Sequence, residues 1–243
     1  TKSKKAKPRR GKLIVIDGSD GSGKGTQTKL LAKSLELSGY QVKVADFPQY
    51  GHKSAEPIEA YLNGAYGKDL NPYAASLFYA IDRFDASFQM KQWLDEGIIV
   101  ISNRYVTSNA GHQGGKITDR FERLKFFKWL DNLEYGILDI PKPDLTIILH
   151  VPATIAQQMI DKKGKVGREY IKGGKNKDML ESDLSHLKQA VQTYQEVAKL
   201  FPKIKMINCM DGKKLFAPKT IHNKVWELVR RIALKDTPPI HDK

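Results

Sequence analysis

One stretch limits this chain more than any other: Asp17-Gly18-Ser19-Asp20-Gly21-Ser22-Gly23-Lys24-Gly25-Thr26-Gln27. It lies between an apolar run at 12–16 that reads as a strand and a run at 29–37 that reads as a helix. Gly18 and Gly23 bracket four residues and Lys24 follows, so the spacing is G-x-x-x-x-G-K in the strand-turn-helix setting that gives it meaning. Backbone N–H groups must converge there on an anion, and residues without a Cβ let the chain turn tightly while approaching it. The helix that follows adds its unpaired N-terminal donors and the positive end of its dipole. Gly18, Ser19, Gly21, Ser22, Gly23, Lys24, Gly25 and Thr26 are therefore the candidate cradle for a polyphosphate, with Lys24 as a mobile point charge. The hydroxyl that usually follows the lysine and faces a metal comes one place later, at Thr26, because Gly25 takes its position.

Apolar strand signals recur at 12–16, 42–45, 98–102, 144–151 and 204–209, with helical periodicity between them. That alternation predicts an α/β fold, a five-stranded parallel sheet with helices on both faces. Continuous runs such as Ile98-Ile99-Val100-Ile101 fit strands buried on both sides. In such sheets ligands bind beyond the carboxyl ends of the strands, so chemistry is sought just after each one. The expected organisation is a disordered basic tail at 1–11, one domain at 12–234 and a loose tail at 235–243.

The formal net charge is +14, and residues 1–12 and 162–177 together carry thirteen of it. A tail and a loop hold the charge and the remainder is nearly neutral, which argues against a nucleic-acid-binding face. No run approaches the ~20 apolar residues of a membrane span, no signal peptide is visible, and the single cysteine, Cys209, cannot form an internal disulfide. These features suggest a cytoplasmic protein without a membrane partner.

After the second strand comes Asp46-Phe47-Pro48-Gln49-Tyr50, then a short helix at 55–62 and a longer one from Pro72 to about Glu96. Tyr79 and Arg83 stand four apart on one face of the latter. They can cradle a flat base, or serve as a core aromatic with an arginine at the rim. The third strand runs into Asn103-Arg104-Tyr105, with Asn109 and His112 beyond. Arg104 can clamp a phosphate with its fork or simply cap a strand. A helix at 117–134 carries Phe121, Leu124, Phe127, Leu130 and Leu133 at core or interface spacing. Residues 162–177 interleave glycines with cations, as in a flap that closes over polyphosphate or a plain solvated loop, and Asp178 opens a helix to about Leu200.

The Gly23 to Gln27 run is shared with adenylate kinases, but the ordered set resembles the thymidylate kinase family over about residues 12–208. That set is the phosphate loop, Phe47-Pro48, the Tyr79 to Arg83 helix, Asn103-Arg104-Tyr105 with Asn109, the basic segment and Asp178 to Glu181. The resemblance implies a P-loop NTPase fold with a short basic lid at about 162–177. It also implies transfer of the γ-phosphoryl of ATP to dTMP, with Mg2+, by a homodimer. Asp20 would then contact the deoxyribose 3′-hydroxyl, Tyr79 would stack on thymine, Arg83 and Asn109 would bond the base, and His112 would stand against the sugar. Phe47 and Lys53 complete the acceptor set, Lys53 standing in for an arginine that the family has after Phe-Pro and this chain replaces with Gln49-Tyr50. Arg104 would hold the acceptor phosphate, and Arg168, Lys163 or Lys165 would supply the lid cation. Thr26, Asp20 and Glu181 are the candidate metal ligands. Asn103 replaces the usual aspartate of Asp-Arg-Tyr. Two other readings are a monophosphate kinase with a different acceptor and a nucleotide-binding switch or nucleic-acid-associated ATPase.

Overall fold

The structure, a computed structural model, describes residues 10–67, 69–163, 169–172, 177–235 and 237, with only the backbone of Lys163. Five parallel strands form the sheet: β1 (Leu13–Asp17), β2 (Val42–Asp46), β3 (Ile99–Asn103), β4 (Leu145–His150) and β5 (Ile204–Asn208), in the order β2-β3-β1-β4-β5. Every residue of β1 is buried. Leu13 and Val15 point into one core with Met90, Leu94 and Phe126, while Ile14 and Ile16 point into another with Leu31, Leu35 and Val225. This is the period of two expected of a strand covered on both faces. Ile16 pairs with Asn103 of β3 and Ile147 of β4, which brings the carboxyl ends of the central strands level.

The helices are α1 (Lys24–Leu37), α2 (Glu56–Leu62), α3 (Pro72–Asp95), α4 (Val106–His112), α5 (Arg120–Asp131), α6 (Ala153–Lys163), α7 (Leu184–Leu200) and α8 (Pro218–Leu228). α3 starts where its sequence says it should: Asn71 Oδ1 accepts from Tyr73 N, and Pro72 at the first turn has no N–H to leave unpaired.

The strands fall within two residues of expectation, and several helices do not. α1 begins at Lys24 and not near 29, so the lysine of the loop is its first residue. The helix expected from Asp178 begins at Leu184, where Asp183 Oδ1 accepts from Ser185 N and His186 N at 2.8 and 3.1 Å. Asp178 instead closes a turn, its Oδ1 accepting from Leu180 N and Glu181 N. On α5 the buried aromatics are Phe126 and Phe127, and Phe121, in the first turn, is 65% exposed. α6 and a small hairpin, β6 (Met210–Asp211) with β7 (Lys214–Leu215), have no counterpart in the sequence expectation.

Candidate active site

The glycines of the loop are dictated by contact. A Cβ on Gly21, at φ +75°, would lie 2.1 Å from the Ala156 carbonyl oxygen, and one on Gly18 would lie 2.6 Å from that of Leu149. The loop is thus pressed between β4 and the start of α6, where only bare backbone fits. Lys24 is buried and its Nζ donates to Gly18 O at 2.9 Å and Ser19 O at 2.7 Å. α1 opens at Gly23 without a side-chain cap, so its first amides remain available to an anion. Among the described residues, Ser19 Oγ and Ser22 Oγ are buried with no hydrogen-bond partner, as suits a lining that meets phosphate oxygens.

Asp20 and Arg104 meet at the centre. Arg104 Nη2 donates to Asp20 Oδ1 in a short ion pair, with Lys24 Nζ 3.9 Å from the same oxygen. His112 Nε2 lies 3.9 Å from Asp20 Oδ2. Burial alone would raise the Asp20 carboxyl, but Arg104, then Lys24, outweigh it and hold it well below the ordinary carboxylate range. Burial would likewise lower Arg104, and Asp20 outweighs it, so the guanidinium stays charged. Arg104 adopts φ +66°, an uncommon conformation for a side-chain-bearing residue. Two hydrogen bonds fix it there: Arg104 N donates to Ile16 O at 3.0 Å and Ser102 Oγ donates to Arg104 O at 2.6 Å. Strain held in this way is characteristic of functional positions.

Asp17 is a centre that sequence reasoning missed. Its carboxylate accepts from Gly18 N at 2.8 Å, Ser108 Oγ at 2.7 Å and Tyr194 Oη at 2.9 Å, and Thr107 Oγ1 donates to the other oxygen. It ties the phosphate loop to α4 and α7. The available signal was a carboxylate closing a buried strand at the sheet's ligand-binding end.

On the acceptor side, Phe47 is buried before a cis Phe47–Pro48 bond, its ring 5.9 Å from that of Tyr105. Gln49 is engaged with α3: its backbone N–H donates to Asp82 Oδ2 at 2.9 Å, and its side chain donates to Asp82 O and Oδ1, each at 3.1 Å. Lys53 is exposed on the short turn Lys53–Ala55. Tyr79 is half-buried and packs against the small core of Ala55, Ile58, Tyr61, Leu62 and Ala75. Asn109 is buried, and its Nδ2 donates to Ser76 O on α3 at 3.1 Å. Arg83 departs from expectation. Its Nε and Nη2 form a bidentate pair with Glu134, both bonds 2.5 Å, and only Nη1 remains, 3.5 Å from Tyr105 O. Asn103 Nδ2 donates to Asp46 Oδ1 at 2.8 Å, its partner in the β2–β3 register.

The basic residues expected to form a lid, Lys165 and Arg168 with the Lys163 side chain, lie outside the described residues. Around them, Tyr170 stacks on Tyr50 with ring centres 3.8 Å apart and donates to Asp178 Oδ2 at 2.8 Å. Burial, then Glu181, raises the Asp178 carboxyl to about 6. Glu181 O accepts from Gln157 of α6, next to the Ala156 that abuts Gly21. A cavity of about 1160 Å³ lies between the end of α2 and residues 177–186, with Lys116 and His186 in its wall, and none of the expected acceptor residues lines it.

Asp20, Lys24, Arg104 and His112 therefore converge at the carboxyl ends of β1 and β3, while Tyr79 and Asn109 stand on α3 and α4. Three comparisons with known proteins bear on this arrangement. The family model described as thymidylate kinase matches residues 16–215. A thymidylate kinase of Mycobacterium tuberculosis is 31% identical over 189 residues, covering 76% of this chain and 85% of the relative, and one of Afipia carboxidovorans is 28% identical over 230 residues, covering 93% and 92%. The solved structure of a thymidylate kinase from Candida albicans shares the fold, with a TM-score of 0.70 over 96% of each chain at 24% identity. With a family model that matches this loop, this arginine and most of the sheet, the chain belongs to the thymidylate kinase family.

Proposed function

We propose that the protein transfers the γ-phosphoryl group of ATP to dTMP, giving dTDP and ADP. The observation that carries this reading is the meeting of Lys24, from the phosphate loop, with Arg104, from the end of β3, across Asp20. One cation belongs to the donor side and the other to the acceptor side. An oxygen of the acceptor phosphate attacks the γ-phosphorus, the bond from that phosphorus to the β–γ bridging oxygen breaks, and ADP leaves with the bond's electrons. Such a transfer needs little covalent help from the protein, and positioning plus electrostatic stabilisation of the equatorial oxygens dominate. Lys24 is assigned to the β- and γ-phosphates and Arg104 to the acceptor phosphate, with Lys163, Lys165 or Arg168 supplying a further cation.

Tyr79 is assigned to stack on the base, with Asn109 and the Nη1 edge of Arg83 at its rim. Asp20 and His112 are assigned to the sugar, and Lys53 is assigned to the acceptor phosphate, since Gln49 is engaged with Asp82. Among the described residues no cluster of three or more His, Cys, Asp or Glu could hold a metal. Mg2+ keeps several waters and is held through one or two carboxylates plus the oxygens of the nucleotide, a set that needs no such cluster. Thr26, exposed at the start of α1, and Asp20 are the assigned ligands, with Glu181 as a third; the ion would neutralise charge on the β- and γ-phosphates. The family's homodimer is assigned to α3, where Leu77, Ile81, Phe84 and Phe88 are exposed at helical spacing.

An ADP-release assay over dTMP, dUMP, UMP, CMP, AMP and thymidine tests the reading. Stimulation greatest with dTMP is expected; ATP turnover that no monophosphate stimulates would overturn it. Replacing Lys24 by Ala should lower turnover on the order of 10³-fold with folding intact, the scale seen when a phosphoryl-stabilising cation is lost.

A further inference from the structure

Arg104 can only donate hydrogen bonds, and that fixes the protonation of the two histidines behind it. Its Nη1 lies 3.5 Å from His112 Nε2, so the contact is favourable only when that nitrogen carries a lone pair. The proton of neutral His112 then sits on Nδ1, which is 3.2 Å from His186 Nε2. His186 Nε2 must accept, so His186 carries its own proton on Nδ1. The opposite arrangement would set an N–H of His112 against an N–H of Arg104, with Asp20 Oδ2 beyond bonding range at 3.9 Å.

Both rings are buried, 7% and 6% exposed, and lie with centres 5.4 Å apart. Burial, supported by Arg104, His186 and Lys24 and opposed by Asp20, keeps His112 well below its ordinary value. Burial and Lys116, opposed by Asp20 and Asp183, take His186 down to about 4. Neither ring therefore adds a cation beside Arg104 near neutral pH. The edge of the His112 ring is also fixed by Tyr194, which meets it at 90°. His186 stands in the first turn of α7, where Asp183 binds its backbone N–H.

We propose that His186 is a positioning residue for phosphoryl transfer: by accepting the Nδ1 proton of His112 it turns the His112 Nε2 lone pair toward Arg104 and fixes the guanidinium beside Asp20. The chain of contacts runs from His186 on α7 through His112 on α4 to Arg104 after β3, so the acceptor-side arginine is set from a helix two contacts away. This deepens the proposed phosphoryl transfer and rests on it for the role of Arg104.

The test uses the full chain labelled with 15N-histidine, together with steady-state kinetics. In the wild type without substrate, His112 is expected as the Nδ1–H tautomer with an unprotonated Nε2. His186→Leu removes the acceptor, so His112 should lose that single tautomer. The variant's kcat should fall about tenfold, the rate equivalent of one ordinary hydrogen bond, with KM for ATP unchanged. His186→Gln, whose Oε1 accepts from the same proton, should restore most of kcat. An Nε2–H tautomer in the wild type overturns the proposal, as does a folded His186→Leu with wild-type kcat. The tautomer measurement needs no substrate and no variant, so its outcome is independent of whether dTMP is the acceptor.

Discussion

Arg83 shows how one residue type can serve two ends that sequence cannot separate. An arginine four places after an aromatic fits both a base-binding edge and a core ion pair, and the partner that takes its Nε and Nη2, Glu134, lies 51 residues away on an irregular turn. With side chains 2% and 0% exposed, the pair is a bidentate bond removed from water. Removing one partner of such a pair strands a charge, so Glu134→Ala should destabilise the fold by about 3–5 kcal/mol in denaturant unfolding, whereas Arg83→Met with Glu134→Leu should recover much of that loss. Equal stability of Glu134→Ala and wild type would show that the pair is not a buried one in solution. His186 gives a second residue-scale expectation. Its folded value, about 4, is below the ordinary 6.5, so the unfolded chain binds the extra proton first and stability drops as pH falls through that window. Unfolding free energies of wild type and His186→Gln at pH 7 and pH 5 check this: the wild type should lose more. The His112–His186 contact spans 74 residues and joins two helices, which is why no local pattern announced it.

Among the elements, the phosphate loop was legible because its constraint is local: a fixed spacing of glycines and a lysine between a strand and a helix. The structure adds the third wall. Gly21 faces the backbone of α6, so Gly21→Ala should displace the loop or the helix and depress nucleotide binding. Gly25 meets nothing within 4 Å of a Cβ, so Gly25→Ser should fold normally. Fluorescent-ATP titration of both variants distinguishes the two positions, and equal affinities would mean that the loop is not pressed against α6. The five strands were readable for the same reason that β1 is wholly buried: two-sided burial leaves a continuous apolar run. α6 was not, because its sequence leads directly into the cation-rich segment and its charged end resembles the loop that follows. The start of α7 is ambiguous in sequence because Asp178 and Asp183 both bind backbone N–H groups as helix caps do, and only the second leads into regular turns.

At the scale of the whole molecule, two surfaces matter. α3 exposes Leu77, Ile81, Phe84 and Phe88 along one stripe, with Phe88 63% exposed. If the proposed homodimer forms there, Phe88→Glu should shift the protein to monomer in sedimentation velocity; an unchanged dimer would move the interface elsewhere. The other surface is the ligand-binding edge of the sheet, where Asp17 ties the phosphate loop to α4 and α7, and Arg104 joins the acceptor side to the loop through Asp20. Sequence placed Lys24 and Arg104 correctly after their strands but could not show that Asp20 lies between them. The most direct measurement of phosphoryl transfer at this junction follows label from γ-32P-ATP into product with dTMP as acceptor. The account predicts labelled dTDP from the wild type and on the order of 10³-fold less from a folded Arg104→Ala. Label appearing only as inorganic phosphate, or dTDP formed at wild-type rate by the Arg104 variant, would contradict it.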